Sequence, residues 1–178
     1  MEMREAIGDY LGFFRQQLER LTQLGIDISG LPISHLAYRA TTVDEYRTLR
    51  DAIEHHCCAN VESVWNGRPI SKLRLTGPLD LGDHFSTKII ELIPPGDRDA
   101  YPMGLEHVGI VVGDGIDTFY TEHREKLSGQ QGQNAASEPY SIRFEEDRTT
   151  IKFYRHSLQK LCEIDGHTFD RFYHANEA

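Results

Sequence analysis

The chain has few of the features that mark secreted, membrane or nucleic-acid-binding proteins. Its three cysteines (Cys57, Cys58 and Cys162) are odd in number and form no Cys-x-x-Cys pair, which argues against a disulfide framework and against a thiolate zinc site. No apolar run approaches the roughly 20 residues that span a bilayer. The acidic start, Met-Glu-Met-Arg-Glu, does not resemble a signal peptide. We therefore expect a cytoplasmic protein with no membrane partner.

Basic clusters and the common catalytic motifs are also missing. The net charge is −9 and the lysines and arginines are dispersed, which disfavours nucleic acid and anionic membranes as partners. There is no Gly-x-Ser-x-Gly and no phosphate-binding loop. We expect a small-molecule substrate as the partner, and no motif decides the oligomeric state.

Four polar residues stand out inside apolar stretches. His35 lies in Ile-Ser-His-Leu-Ala-Tyr-Arg and His107 in Gly-Leu-Glu-His-Val-Gly-Ile-Val. Glu91 and Glu163 each follow one of these histidines by 56 positions and lie in a Lys-x-x-Glu frame. A lone histidine in a strand is more often structural, but matching positions in two repeats favour a shared site.

The order of the predicted elements repeats as well. We expect a helical extension over residues 1–30, one βαβββ module over 31–100, and a second module with a tail over 101–178. The predicted strands are 33–40, 61–65, 70–75, 87–93, 105–112, 140–145, 149–155 and 159–165, with helices over 4–24, 43–56 and 116–127. An Asn66-Gly67 hairpin turn and loops over 76–86 and 128–139 complete the chain. The fold class is α+β, with curved mixed sheets around a shared cavity in one structural domain.

Strand alternation divides these residues between two faces. Leu36, Tyr38, Val108 and Ile110 should face the helices, packed against Tyr46, Leu49, Ile53 and Phe119. His35, Glu91, His107 and Glu163 fall on the opposite face. Buried carboxylates need a partner, and two imidazoles with two carboxylates suit Zn, Ni, Mn, Co or Fe(II) and leave coordination positions open for substrate.

The paired modules, with a histidine on the first strand and a glutamate on the last strand of each, resemble the vicinal oxygen chelate superfamily. That superfamily includes glyoxalase I, methylmalonyl-CoA epimerase and the extradiol dioxygenases. Within it, the N-terminal helical extension, Ser-His-Leu-Ala-Tyr-Arg, Asn-Gly-Arg-Pro-Ile and Gly-Leu-Glu-His-Val are similar to the YecM-like metal-binding proteins. The resemblance implies a divalent metal on His35, Glu91, His107 and Glu163.

Three functions follow as alternatives. The first is a metal-dependent isomerase, epimerase or lyase in which Glu91 or Glu163 also acts as a catalytic base. The second is an Fe(II) dioxygenase-like enzyme; extradiol dioxygenases use two histidines and one glutamate, so a fourth ligand points to the glyoxalase-like pattern. The third is a non-catalytic protein that binds a metal or a small molecule.

Four basic residues are candidates for binding an anionic substrate. Alternation directs Arg39, Lys72 and Arg74 to the cavity, and Arg68 lies just past the predicted hairpin turn. Guanidinium groups grip carboxylates bidentately, so these residues suit a small anionic ligand. The alternative is that they form ion pairs with acidic residues at the rim.

Overall fold

A computed structural model describes residues 1–65, 67–132 and 138–175 of the chain. Its strands are β1 (Ile33–Arg39), β2 (Cys57–Trp65), β3 (Arg68–Gly82), β4 (Phe85–Ile93), β5 (Gly104–Val111), β6 (Tyr140–Arg143), β7 (Thr150–Tyr154) and β8 (Phe172–Tyr173). Its α-helices are α1 (Met3–Ile7), α2 (Tyr10–Gln23), α3 (Val43–Glu54), α4 (Ile116–His123) and α5 (Leu158–Ile164), with a 3₁₀ turn at Gly113–Gly115. No helix in the described part of the chain is long and apolar enough to cross a membrane.

All eight strands form one mixed, curved and unclosed sheet in the order β6-β7-β5-β1-β4-β3-β2-β8. In the first half β1 runs parallel to β4, and in the second half β5 runs parallel to β7. The two halves meet where β1 and β5 pair antiparallel. The predicted α+β fold class is confirmed, and the first strands of the two halves lie side by side.

The helices α3 and α4 cover one face of the sheet, as the sequence pattern predicts. The side chain of Thr42 accepts a hydrogen bond from the backbone N–H of Glu45 and so begins α3. Phe119 of α4 packs on the fully buried Phe153 with ring centroids 4.5 Å apart. The expected core residues Leu36, Val108, Ile110, Tyr46, Leu49, Ile53 and Phe119 are all buried, while Tyr38 is half-buried.

Several element boundaries differ from the sequence-based expectation. The N-terminal helix is two helices, because Gly8 adopts φ 78° between α1 and α2. The expected loop over 76–86 is wrong, since β3 continues to Gly82 and turns into β4 through Asp83 and His84, both with positive φ. The hairpin between β2 and β3 is confirmed by the pairing of Trp65 with Arg68, although Asn66 lies outside the described residues. Residues 133–137 of the predicted loop and 176–178 of the tail also lie outside them.

The largest correction concerns residues 159–165, which form helix α5 instead of a strand. The Ser157 side chain accepts a hydrogen bond from the backbone N–H of Lys160, and good helix formers follow it. The second half is therefore a βαββ unit among the described residues, and β7 takes the place beside β5 that β4 takes beside β1. Helix α5 packs on the face of the sheet opposite α3. The backbone N–H of Leu158, the first residue of α5, donates a hydrogen bond to the side chain of Ser34, which precedes His35 on β1.

Candidate metal centre

Three of the four predicted ligands converge on one point. His35 Nε2 lies 3.2 Å from His107 Nε2, and Glu91 Oε2 lies 3.1 Å from His107 Nε2 and 3.7 Å from His35 Nε2. The edges of a tetrahedral or octahedral shell with bonds of about 2.1 Å are about 3.0–3.4 Å. The separations of 3.1 and 3.2 Å fall in this range, and the separation of 3.7 Å between His35 and Glu91 is slightly longer. The three donor atoms form a His/Glu cluster whose atoms all lie within 4.8 Å of one another and could hold a metal ion.

The sheet brings the three ligands together from neighbouring strands. Strand β1 lies between β5, which carries His107, and β4, which carries Glu91. Glu91 is opposite Ala37, whose other neighbour is His107. Paired residues point to the same face of a sheet, so the carboxylate and the imidazole lie side by side.

Two irregularities in the pairing of β1 and β5 add polar groups that alternation did not predict. The register shifts at Ser34 and at Glu106, the residues just before the two histidines. Such β-bulges re-aim a side chain, and here both side chains reach the adjacent imidazole. Ser34 Oγ lies 2.8 Å from His35 Nδ1, and Glu106 Oε1 lies 3.2 Å from His107 Nδ1.

These contacts orient both rings. Ser34 Oγ also accepts the backbone N–H of Leu158 at 2.7 Å, so it links the ring of His35 to α5. The Glu106 carboxylate accepts the Nδ1–H of His107 and pairs through its other oxygen with the buried Arg39. When each Nδ1 carries the proton of its ring, the lone pairs of both Nε2 atoms are available to a metal ion.

The electrostatics favour the metal-binding protonation states. Burial lowers the pKa of His35 to about 3; the Glu91 carboxylate opposes this shift, and His107 and Lys152 add to it. Burial would raise the pKa of Glu91, but the hydrogen bond from His107 and the nearby His35 and Lys152 hold it well below its ordinary value. At neutral pH the cluster therefore contains an uncharged His35 imidazole and a carboxylate, as metal coordination requires.

Glu163 is not part of this cluster. It lies exposed on α5, where it accepts a hydrogen bond from Gln159 and lies 3.8 Å from Lys160. The expectation that Glu163 is a metal ligand and a catalytic base depended on a strand that the structure shows as a helix. Its neighbour Cys162 is the buried residue of α5. Burial raises the pKa of the Cys162 thiol to about 11, and the nearby Glu91 carboxylate adds to this increase.

The four basic candidates lie in different surroundings. Arg39 is buried, pairs with Glu106, donates to the carbonyl of Pro94 and stacks on Tyr101. Lys72 lies opposite Glu91 in the sheet, but its ammonium donates to Ser63 and to the carbonyl of Ile70. These contacts give both residues structural partners.

The other two basic candidates, Arg68 and Arg74, have fewer side-chain partners among the described residues. Arg68 donates to the carbonyl of Pro95 and lines a cavity of about 360 Å³ that contains none of the three ligands and is bounded by Tyr46 and Arg50 of α3. Arg74 is half-buried and pairs with Ile89, two positions before Glu91 on β4, so it lies on the ligand face. Its role in substrate binding stays a prediction.

Two further residues of β7 belong to the site. Tyr154 is buried, its ring centroid lies 5.6 Å from that of His35, and burial together with Glu91 and Glu106 raises the pKa of its phenol well above the ordinary value. Lys152 is half-buried and pairs with Gly109 on β5. Alternation with the buried Ile151 and Phe153 was the sequence signal for both residues, and choosing 159–165 as the ligand strand hid it.

Comparisons with known proteins place the chain in a family. The profile of the family described as YecM protein matches residues 2–138. The chain belongs to the YecM protein family. It is 24% identical to Protein YecM of Escherichia coli (strain K12), over 90% of this chain and 92% of that protein. A solved structure titled "Structural Genomics, Protein EC4020" is similar with a TM-score of 0.67 and 26% identity, over 90% of this chain and 92% of the other. The predicted YecM-like resemblance is thereby confirmed, and His35, Glu91 and His107 all lie within the matched residues.

Proposed function

We propose that the chain is a metal-dependent enzyme of the vicinal oxygen chelate type, which acts on a small, anionic, oxygen-bearing substrate. The observation that carries the proposal is the approach of His35 Nε2 and His107 Nε2 to 3.2 Å beside the Glu91 carboxylate, with both Nδ1 atoms already hydrogen-bonded. When both rings carry their proton on Nδ1, the two Nε2 atoms present only lone pairs to each other. Such an arrangement is stable when a cation lies between them.

The donor set suits a catalytic site. Structural zinc sites use four protein ligands, whereas two histidines with one carboxylate leave positions for water or substrate. A divalent metal held by these residues would act as a Lewis acid toward substrate oxygens. The parallel pairing of first and last strands in each half, β1 with β4 and β5 with β7, further supports the superfamily assignment.

The chain's own residues supply the rest of the chemistry. Glu106 and Ser34 orient the two imidazoles, and the hydrogen bond from His107 together with the ion pair with Arg39 keeps Glu106 ionised. The raised pKa of Tyr154 keeps its phenol protonated, so it is available to donate a hydrogen bond to a substrate oxygen. Proton-transfer chemistry of the isomerase, epimerase or lyase kind fits these groups.

A specific observation favours the Fe(II) dioxygenase-like alternative. The fourth carboxylate, Glu163, was the feature that distinguished the glyoxalase-like pattern, and it lies on the exposed face of α5. The remaining set of two histidines and one carboxylate is the ligand pattern of non-haem Fe(II) oxygenases. The identity of the metal therefore separates the two chemistries: iron supports oxygen activation, and a redox-inert ion supports proton transfer.

The test is elemental analysis of untagged protein purified without chelators. We expect one equivalent of a transition metal per chain, loss of that metal in His107→Ala with the circular dichroism spectrum retained, and full retention in the matched control Glu163→Gln. A His107→Ala protein that still holds a full equivalent, or a wild type that binds no added transition metal, would overturn the proposal.

A further inference from the structure

Lys152 occupies the position in the second half that Glu91 occupies in the first. His35 and His107 are 72 positions apart in the repeat, and the same step leads from Ala37 to Gly109. Ala37 pairs with Glu91 on the parallel strand β4, and Gly109 pairs with Lys152 on the parallel strand β7. The second half thus presents an ammonium group where the repeat would place the second carboxylate.

The side chain of Lys152 lies on the ligand face of the sheet. It alternates with Ile151 and Phe153, which are fully buried on the helix-covered face, and it shares its own face with Tyr154, whose ring contacts His35. Lys152, Gly109 and His35 form one row across β7, β5 and β1. Because the middle residue is glycine, no side chain separates the lysine from the imidazole; their Cα atoms are about 10 Å apart at the usual strand spacing.

The ammonium of Lys152 is near the Glu91 carboxylate but forms no ion pair with it. Over the described ranges 1–65, 67–132 and 138–175 its ammonium makes no hydrogen bond and no ion pair, although the residue is half-buried. Lys72, in contrast, donates to Ser63 and to a backbone carbonyl. Lys152 is close enough to the cluster that its charge lowers the pKa of both His35 and Glu91.

We propose that Lys152 holds the anionic group of the substrate, so that the site selects small 2-oxo or 2-hydroxy carboxylates; this inference rests on the metal-dependent function proposed above. The charges support it. A divalent ion, two neutral imidazoles and Glu91 carry a net charge of +1, and the pair of Arg39 with Glu106 adds none. Lys152 raises this total to +2, whereas a carboxylate there would lower it to zero. A ligand that chelates through two oxygens and is itself anionic satisfies both the open coordination positions and the unpaired ammonium.

The experiment uses the full-length protein loaded with Co(II), and it measures binding of pyruvate and of its neutral analogue hydroxyacetone from changes in the cobalt absorption spectrum. Lys152→Met keeps the length of the side chain and removes its charge, and Lys152→Arg keeps the charge. Lys88→Met is the matched control, since Lys88 is an exposed lysine on β4. We expect Lys152→Met to retain one equivalent of cobalt and to bind pyruvate at least about 10-fold more weakly. Hydroxyacetone binding should be unchanged, and Lys152→Arg and Lys88→Met should behave like the wild type.

The failures of the two proposals are distinguishable. A wild type that takes up no cobalt refutes the metal site itself. A cobalt-loaded wild type that prefers hydroxyacetone to pyruvate refutes the anionic substrate class, and this comparison needs no variant. Equal pyruvate affinity in the wild type and in Lys152→Met refutes the role of Lys152 while leaving the metal site in place.

Discussion

The imidazole of His35 packs against Gly109, so the substitution Gly109→Ala tests the geometry of the proposed metal centre directly. Gly109 lies opposite His35 in the antiparallel pair of β1 and β5. A Cβ atom at this position would lie 2.3 Å from His35 Cε1 and 2.5 Å from Nδ1, whereas ordinary contacts begin at 3.4 Å. The ring must therefore withdraw by about 1 Å, since packed interiors do not tolerate such overlap.

This displacement is large on the scale of coordination chemistry. Metal–ligand distances are held to within about 0.2 Å, so a shift of about 1 Å removes His35 from the shell and also breaks its hydrogen bond to Ser34. We expect the metal affinity to fall at least about 100-fold, the upper end of what loss of a supporting contact costs. The backbone at Gly109 is not in the left-handed region, so alanine can adopt the same backbone conformation there. The overpacked variant should lose about 1–3 kcal/mol of folding free energy and remain folded.

The assay is competition for the metal with a chromophoric chelator, with thermal unfolding of the metal-free protein as the check on folding. Gly77→Ala is the matched control: it also places alanine in a long strand, but nothing lies within 4 Å of the added Cβ. Equal metal affinity in Gly109→Ala and Gly77→Ala, with both proteins folded, would show that the His35 ring does not occupy the position described.

Two further predictions address the surroundings of the site and the thiols. Glu106→Gln leaves Arg39 beside a neutral partner and weakens the orientation of His107, so the same chelator competition should show a loss of about 10- to 100-fold in metal affinity; an unchanged affinity would contradict the role assigned to Glu106. Burial raises the pKa of Cys57 to about 12 and that of Cys162 to about 11, while Cys58 is exposed. Because a thiol with a raised pKa stays protonated at pH 8, a disulfide reagent at that pH should react quickly with one thiol, that of Cys58. Cys162 should react quickly only as the pH approaches 11. Fast labelling that persists in Cys58→Ser would refute this assignment.

Local sequence patterns were sufficient to predict much of the fold and the three residues of the His/Glu cluster. Apolar alternation around His35, Glu91 and His107 identified strands whose faces the structure confirms. The Thr42 cap and the apolar spacing that follows it identified α3. These signals depend on near neighbours in the chain, so they can be read without knowing the tertiary structure.

The residues that support the ligands could not be found in this way. Alternation turns Ser34 and Glu106 toward the helices, and only the bulges that form when β1 pairs with β5 turn them toward the imidazoles. Bulges arise from pairing between distant segments, and neither strand carries a local mark of one. The strand expected at 159–165 has a different origin: it follows from the repeated order of the elements, whereas the Ser157 cap and the helix-forming residues after it favour a helix.

The correction at Glu163 changes the chemistry that the repeat implies. Two identical halves would give a symmetric site of two histidines and two carboxylates, closed around its metal and electrically neutral. In this chain the strand that pairs with β5 brings Lys152 and Tyr154, so the second half contributes a cation and a phenol in place of a ligand. Helix α5 then packs against the ligand face and leaves the two histidine side chains 1% exposed and that of Glu91 14% exposed. On the proposed function, the first half and His107 would hold the metal, and Lys152 and Tyr154 of the second half would face the ligand beside it.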